Sequence, residues 1–99
     1  MIVDITAEAE ADLEAIGDYI ARDNPVRAIS FVRELYQRCL ELADMPEAWT
    51  VVPRYEHQDI RRRVHGRYLI FYRIGPDRIT VLHVLNGAMD VEAILFPVG

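Results

Sequence analysis

The chain has 99 residues and a formal net charge of −5 at pH 7, which leaves room for one domain and argues against a protein that coats nucleic acid without regard to sequence. Its hydrophobic content of 52% is typical of a folded domain, and no apolar run reaches the roughly 20 residues that a membrane-spanning helix needs. The single cysteine, Cys39, excludes an internal disulfide and any multi-cysteine metal site.

The charges are distributed unevenly along the chain. Residues 1–49 carry 4 Arg and 11 acidic residues, a balance of −7, whereas residues 50–99 carry 7 Arg and 5 acidic residues, a balance of +2. Any anionic partner should therefore meet the second half. The N-terminus lacks the basic start and uninterrupted apolar core of a signal peptide. We therefore expect one domain over residues 1–99, located in the cytoplasm and making no contact with a membrane.

The first predicted elements are a strand and a helix. Residues 2–5 form a short segment with an alternating side-chain pattern, which suits an edge strand. Thr6 can cap the helix that follows, and Glu8 and Glu10 fall in its first turn, where the helix dipole favours negative charge. The helix is predicted to be amphipathic because apolar residues recur at helical spacing: Ala9, Leu13, Ile16 and Ile20.

A second helix is predicted over residues 25–44. Asn24 is a good N-cap, and Pro25 at the first helical position loses no needed hydrogen bond. So short a link makes the two helices antiparallel neighbours. The apolar surface of the second helix is wider than one contact requires, so we expect it to pack on the sheet and on either the first helix or a second chain. A long connection that packs against the domain is predicted over residues 46–59.

Three strands are predicted in the second half. They cover residues 60–65, the segment YLIFYRI (68–74) and the segment ITVLHVL (79–85), and a turn at residues 75–77 joins the last two. Apolar groups on both faces predict helices on one side of the sheet and a partner or closing segment on the other. Asn86 and Gly87 then break the strand, and Asp90 can cap a short helix.

The predicted fold class is therefore α+β. It has an N-terminal strand, a two-helix antiparallel hairpin, a three-stranded antiparallel sheet and a short C-terminal tail. This order of elements resembles the ParE/RelE superfamily of bacterial toxins. The matching segments are ADLEAIGDYIARDNP and AISFVREL in the helices, Pro46 in the loop, Arg61 with YLIFYRI, and VLNGAMD near the end. Within the superfamily, YIARDNP and LIFYRI resemble the ParE branch more than the RelE branch.

The resemblance implies the toxin component of a type II toxin-antitoxin module, of the kind associated with plasmid stabilisation and growth arrest. The ParE branch acts on DNA gyrase and stalls it on cleaved DNA, whereas the RelE branch cuts messenger RNA on the ribosome. Both branches are neutralised by an antitoxin encoded beside them. For this chain the resemblance therefore implies a ParD-like antitoxin as a partner.

The residues near the end of the last strand favour the ParE branch. Cutting RNA through its 2′-hydroxyl needs a base, cationic donors and an acid. At the positions that match the family's late motif, His83 and Met89 stand where arginine is usual and Asn86 stands where histidine is usual. A toxin that inhibits gyrase by binding, with no catalytic residue, is the first hypothesis.

Two alternatives remain open. Arg61, Arg73 and His83 could serve a ribosome-dependent endoribonuclease, and Arg61, Arg63, His65 and Arg73 could form an anion site. The other alternative is a non-toxic homologue that binds only the antitoxin. An arginine ladder on an edge strand would equally serve to block unwanted sheet pairing.

The first hypothesis assigns residues to two surfaces. The candidate target-binding residues are Arg61, Arg63, Arg67, Arg73, His83, Asn86 and Met89. The candidate antitoxin-binding residues are Leu13, Ile16, Tyr19, Ile20, Phe31 and Leu35. Leu13, Ile16 and Leu35 are expected mostly in the core, with Tyr19 and Phe31 nearer to an antitoxin that binds as an amphipathic helix or extended segment. No metal is predicted, since the histidines lack a metal-ligand spacing, and neither a cofactor nor direct nucleic-acid binding by the chain alone is expected.

Overall fold

A computed structural model describes residues 1–97 and has the predicted α+β order. Its elements are strand β1 (Ile2–Ile5), helices α1 (Ala7–Ala21) and α2 (Pro25–Leu40), strands β2 (Arg61–His65), β3 (Tyr68–Ile74) and β4 (Arg78–Asn86), and the short helix α3 (Val91–Leu95). Residues 98–99, at the end of the predicted tail, lie outside the described part. No helix within residues 1–97 is long and apolar enough to cross a membrane.

The four strands form one sheet in the order β1-β4-β3-β2. The strands β2, β3 and β4 are antiparallel as predicted, and β1 lies at an edge, where it pairs with β4 in parallel. This parallel pairing covers only residues 78–81 of β4. Residues 82–86 of β4 therefore have no strand on the β1 side within the described part of the chain.

The first residues of α1 and α2 are fixed by the capping residues that the sequence indicates. The Thr6 hydroxyl accepts a hydrogen bond from the Ala9 N–H at 3.1 Å and donates to the Val81 carbonyl at 2.8 Å, so one side chain caps α1 and joins it to β4. The Asn24 side chain accepts from the Arg27 N–H at 3.0 Å. The predicted end of the second helix was wrong, because α2 stops at Leu40 and a 3-10 turn follows at Glu41–Ala43.

The strand β4 carries a β-bulge. Tyr72 of β3 pairs with Val81, whereas the preceding Phe71 pairs with His83, so Leu82 is an extra residue without a partner on β3. A bulge bends the strand and changes the direction in which the neighbouring side chains point. This one lies where the pairing with β1 has just ended.

Apolar side chains cover both faces of the sheet, as predicted. The face under α1 and α2 buries Leu13, Leu35 and Tyr72 in one cluster. The opposite face buries Phe71 and Leu85 beneath α3 and the loop before β2. The predicted packing of that loop is confirmed, since Val52 and Ile60 belong to the second cluster.

Candidate functional site

The structure separates the seven candidate target-binding residues into three groups. Cross-strand partners point to the same face of a sheet, and Arg61 pairs with Tyr72 and Arg63 with Ile70, both of the helix-facing cluster. Arg73 and His83 lie on the face that carries α3. Arg67, Asn86 and Met89 lie together at the end of β4.

Arg61 and Arg63 are engaged in contacts within the chain. Nη1 of Arg61 donates to the Trp49 carbonyl at 2.6 Å. Nη1 of Arg63 donates to the Arg38 carbonyl at 2.9 Å, and its Nη2 lies 3.1 Å from a carboxylate oxygen of Glu41. Only 14% of the Arg63 side chain is exposed. Both guanidinium groups therefore hold the end of α2 and the following loop.

The anion site considered for Arg61, Arg63, His65 and Arg73 does not assemble. His65 shares the helix-facing side of the sheet with the two β2 arginines, and its Nε2 lies 3.2 Å from a carboxylate oxygen of Glu34. Arg73 lies on the opposite face. The same separation divides the catalytic trio of the ribonuclease alternative, because Arg61 stands apart from Arg73 and His83.

Arg73 and His83 line one cavity of about 330 Å³, together with residues of α3 and of the start of α1. Nε of Arg73 donates to the Gln58 carbonyl at 3.0 Å. One carboxylate oxygen of Asp12 lies 2.8 Å from Nδ1 of His83 and accepts from the Val84 N–H at 2.9 Å. The sequence reasoning missed Asp12, whose only local signal is an acidic residue beside the apolar stripe of α1.

The third group surrounds the end of β4. The Arg67 carbonyl accepts from the Gly87 N–H at 2.8 Å, which places the turn before β3 beside the segment after β4. Asn86 and Met89 line a groove of about 260 Å³ whose other walls include Tyr19 and Tyr68. Ile16 also lines this groove, which therefore joins two candidate target-binding residues to two candidate antitoxin-binding residues.

The candidate antitoxin-binding residues differ in their exposure. Leu13, Ile16 and Leu35 are buried in the core. The core position expected for these three is confirmed, and they have little or no side-chain surface to offer a partner. Ile20 and Phe31 are half-buried, whereas Tyr19 is 64% exposed.

The outward face of the helical hairpin carries a long groove. Two adjoining cavities of about 620 Å³ and 570 Å³ lie between α1 and α2 and share part of their lining, including Val32 and Tyr36. The helices approach closely here, because a Cβ atom at Gly17 would lie 3.2 Å from Cγ2 of Val32. We call this the hairpin groove; its acidic lining residues are Glu10, Glu14 and Asp18.

Tyr36 is tied to the acidic side of the hairpin groove. Its hydroxyl donates to the Glu10 carboxylate. This hydrogen bond, together with burial, raises the pKa of Tyr36 to about 12. The phenol therefore stays neutral and keeps donating to Glu10 throughout the physiological range.

Comparison with known proteins gives a family match over most of the chain. The profile of the family described as the ParE toxin of type II toxin-antitoxin system, parDE, matches residues 3–91. A solved structure described as the chromosomal ParDE TA system from P. aeruginosa has a TM-score of 0.76 and 21% sequence identity, covering 87% of this chain and 95% of that chain. At that identity the likeness shows a shared fold. None of the curated proteins compared with the chain matches it. The chain belongs to the ParE toxin family of type II toxin-antitoxin systems.

Proposed function

We propose that this toxin inhibits DNA gyrase by binding to it, without making or breaking a bond through its own side chains. The observation that carries the proposal is the family match over residues 3–91. The placement of Arg61 on the opposite face from Arg73 and His83 gives the ribonuclease alternative no support. Gyrase inhibition, which the ParE resemblance implies, is therefore the function that we propose in place of RNA cleavage.

The proposed gyrase surface comprises the end of β4 and the adjoining face of the sheet. Arg67 is exposed at the turn before β3, and Met89 is exposed beside it. Arg73 and His83 extend the surface on the α3 face. Arg61 and Arg63 support this surface by holding β2 to the rest of the fold instead of contacting the target.

A ParD-like antitoxin is proposed to bind in the hairpin groove as an amphipathic helix. Charge supports this location, because residues 1–49 have a balance of −7 and the acidic side chains that line the groove outnumber its one basic side chain, Arg33. The complementary segment should present small apolar residues toward α1 and α2 and basic residues toward Glu14 and Asp18. Electrostatic complementarity of this kind increases association rates and disfavours other partners.

Neutralisation is proposed to work by covering the gyrase surface. Tyr19 follows Asp18 of the hairpin groove but lies on the other side of α1, where it lines the smaller groove that contains Asn86 and Met89. An antitoxin segment that continues from the hairpin groove around the end of α1 to Tyr19 would therefore reach the proposed target contacts. The toxin could not then present the end of β4 to gyrase.

Supercoiling and DNA-cleavage assays with the purified chain test the proposed target. We expect inhibited supercoiling and trapped cleaved DNA, together with intact messenger RNA when translating ribosomes replace gyrase. Normal supercoiling and no trapped cleavage at a large molar excess would contradict the proposal. Normal growth when the chain is induced without antitoxin would instead support the non-toxic homologue.

A matched pair of charge reversals locates the surface. Arg67→Glu changes the turn beside the end of β4, whereas Arg78→Glu changes an exposed arginine at the other end of the same strand. Both replace a surface arginine with the same residue, so their effects on net charge are equal. We expect only Arg67→Glu to weaken gyrase inhibition, and equal losses from both variants would place the contact elsewhere.

A further inference from the structure

The bulge in β4 gives His83 an unusual position. Leu82 is the extra residue, so His83 follows directly after the distortion. At the same point the chain of β1 leaves the sheet, because the last residue of β1 that pairs with β4 is Ile5, opposite Val81. Bulges are frequent beside functional sites, where they redirect a side chain. The edge next to His83 is thus open to a side chain from α1.

Asp12 of α1 occupies that opening and fixes the imidazole ring. Its Oδ2 lies 2.8 Å from Nδ1 of His83 and 2.9 Å from the backbone nitrogen of Val84. A carboxylate can only accept hydrogen bonds, so the Nδ1 of His83 carries the hydrogen. In the neutral ring, Nε2 is then a hydrogen-bond acceptor. Most of both side chains is buried, which holds the ring in this orientation.

Arg73 supplies a cation to the same cavity. It lies two residues after Phe71, the partner of His83, and therefore sits diagonally across the strand pair from the imidazole. Its Nε donates to the Gln58 carbonyl at 3.0 Å. Its two terminal nitrogens make no hydrogen bond within residues 1–97 and remain available to a ligand. The cavity of about 330 Å³ thus combines a hydrogen-bond acceptor with a planar cation.

We propose that this cavity binds a phosphate group that keeps one P–O–H, as inorganic hydrogen phosphate does. The P–O–H donates to Nε2 of His83, while the charged oxygens accept from the terminal nitrogens of Arg73. Sulfate has the same shape but no O–H at neutral pH, so one of its oxygens would face the Nε2 lone pair. The site should therefore distinguish phosphate from sulfate, and Asp12 is the positioning residue that makes it do so.

Glu8 also lines the cavity and limits the affinity. It is an exposed residue in the first turn of α1, and its carboxylate repels an anion that enters the cavity. Replacement by glutamine removes this repulsion without changing the shape of the side chain. The Glu8→Gln variant should therefore bind phosphate more tightly than the wild type.

Titration of the purified chain with inorganic phosphate tests the site, and it needs neither gyrase nor antitoxin. At about pH 8 the ligand is mainly HPO4²⁻, which has one O–H. The readout is the ¹⁵N resonance of the His83 Nε2, with sulfate at matched ionic strength as the comparison. We expect phosphate to shift this resonance with saturation and sulfate to leave it unchanged. Equal shifts from both anions, or no shift from either, would overturn the proposal.

Three variants separate the roles of the side chains. Arg73→Gln should weaken phosphate binding about tenfold or more, because a charge-assisted hydrogen bond is lost. Asp12→Asn keeps an oxygen acceptor for Nδ1 and should keep the preference for phosphate. Asp12→Ala lets the ring adopt the other tautomer, and the preference over sulfate should disappear.

A further variant covers the case in which Asp12→Ala fails to fold. His83→Gln can turn its amide N–H toward the ligand and should bind both anions alike. An unchanged preference for phosphate in His83→Gln would contradict the assignment of Nε2 as the acceptor. A failure of the gyrase assay would leave this measurement unaffected, so the two proposals can fail separately.

Discussion

The guanidinium group of Arg63 stacks on the indole of Trp49, with Cζ 4.3 Å from the ring centroid. The same group bonds the Arg38 carbonyl near the end of α2 and the Glu41 carboxylate in the turn that follows. One side chain of β2 thus joins the second helix to the long loop. The geometry suits arginine, whose planar group can stack and form hydrogen bonds in several directions at once.

Removing the Arg63 side chain should lower stability. Arg63→Ala leaves the Arg38 carbonyl and the Glu41 carboxylate without this donor, and we expect the free energy of unfolding to fall by about 2 kcal/mol. Arg63→Lys should restore only part of the loss, because a lysine cannot stack and donate in the same way. Urea unfolding measures both variants.

The neighbouring Arg62 provides the control. It is half-exposed and makes no side-chain hydrogen bond within residues 1–97, so Arg62→Ala should change the free energy of unfolding by less than about 0.5 kcal/mol. Similar decreases in the free energy of unfolding for both alanine variants would show that the Arg63 contacts contribute no more to stability than an average arginine of β2. The result also bears on a charge-reversed Arg63 variant. If the Arg63 side chain is needed for stability, weaker gyrase inhibition by that variant would reflect an unstable fold and not a lost contact with the target.

Glu41 should make part of this stability depend on pH. Burial acts to raise its pKa, but the hydrogen bond from Arg63 and the charges of Arg38 and Arg63 outweigh burial and hold the pKa below the ordinary value of 4.5. Because the pKa is lower in the folded state, the carboxylate stabilises the fold above pH 4.5, and this contribution is lost as the pH falls through the folded value.

The comparison of wild type with Glu41→Gln isolates that contribution. We expect the difference in urea midpoint to be largest at neutral pH and to shrink as the pH falls below about 5. Glu47→Gln serves as the control, since the Glu47 side chain is exposed and forms no ion pair within residues 1–97. A Glu41→Gln difference that is constant from neutral to acidic pH would contradict the assigned cause.

The helices α1 and α2 and their first residues could be predicted from the sequence because the signals for a helix start are local. Thr6 and Asn24 bond to N–H groups three residues away. The parallel pairing of β1 with β4 joins positions such as Ile2 and Arg78, and no local pattern encodes so distant a partner. The bulge at Leu82 lies in the pairing of β3 with β4, and no turn residue or break in the apolar pattern marks its position in the sequence.

The sequence indicated several residues of the candidate site, but it did not indicate how the fold arranges them. Alternation shows that Arg61 and Arg63 share one face of β2, but it cannot tell which face meets the helices when both faces are apolar. Their contacts with backbone carbonyls depend on where the loop and the end of α2 pack. The pairing of Asp12 with His83 joins residues 71 positions apart, and only the folded chain brings them together.

Cys39 should be unreactive in the folded protein. It is fully buried, and burial raises the pKa of its thiol to about 12. The thiolate is the reactive form, so we expect no modification by a thiol reagent at about pH 8 while the chain is folded. In denaturing urea one thiol should react per chain. Modification at similar rates in both conditions would contradict the buried position.

The hairpin groove can be tested with two exposed aliphatic residues of α2. Ile29 lines the groove and is 59% exposed, whereas Val26 is 79% exposed and lies outside the groove lining. Each can be replaced by serine with little loss of packing. We expect Ile29→Ser to weaken binding of the ParD-like antitoxin about tenfold, because an aliphatic side chain no longer becomes buried on association.

Val26→Ser should leave the affinity within about twofold of the wild type, since a residue outside the contact contributes little. Titration calorimetry of each variant with the antitoxin gives the comparison, and supercoiling assays should show that both variants still inhibit gyrase. The preserved inhibition matters because it separates a lost antitoxin contact from a damaged fold. If Ile29→Ser binds the antitoxin as the wild type does, the antitoxin helix does not occupy the hairpin groove and the exposed ring of Tyr19 becomes the better place to look for it.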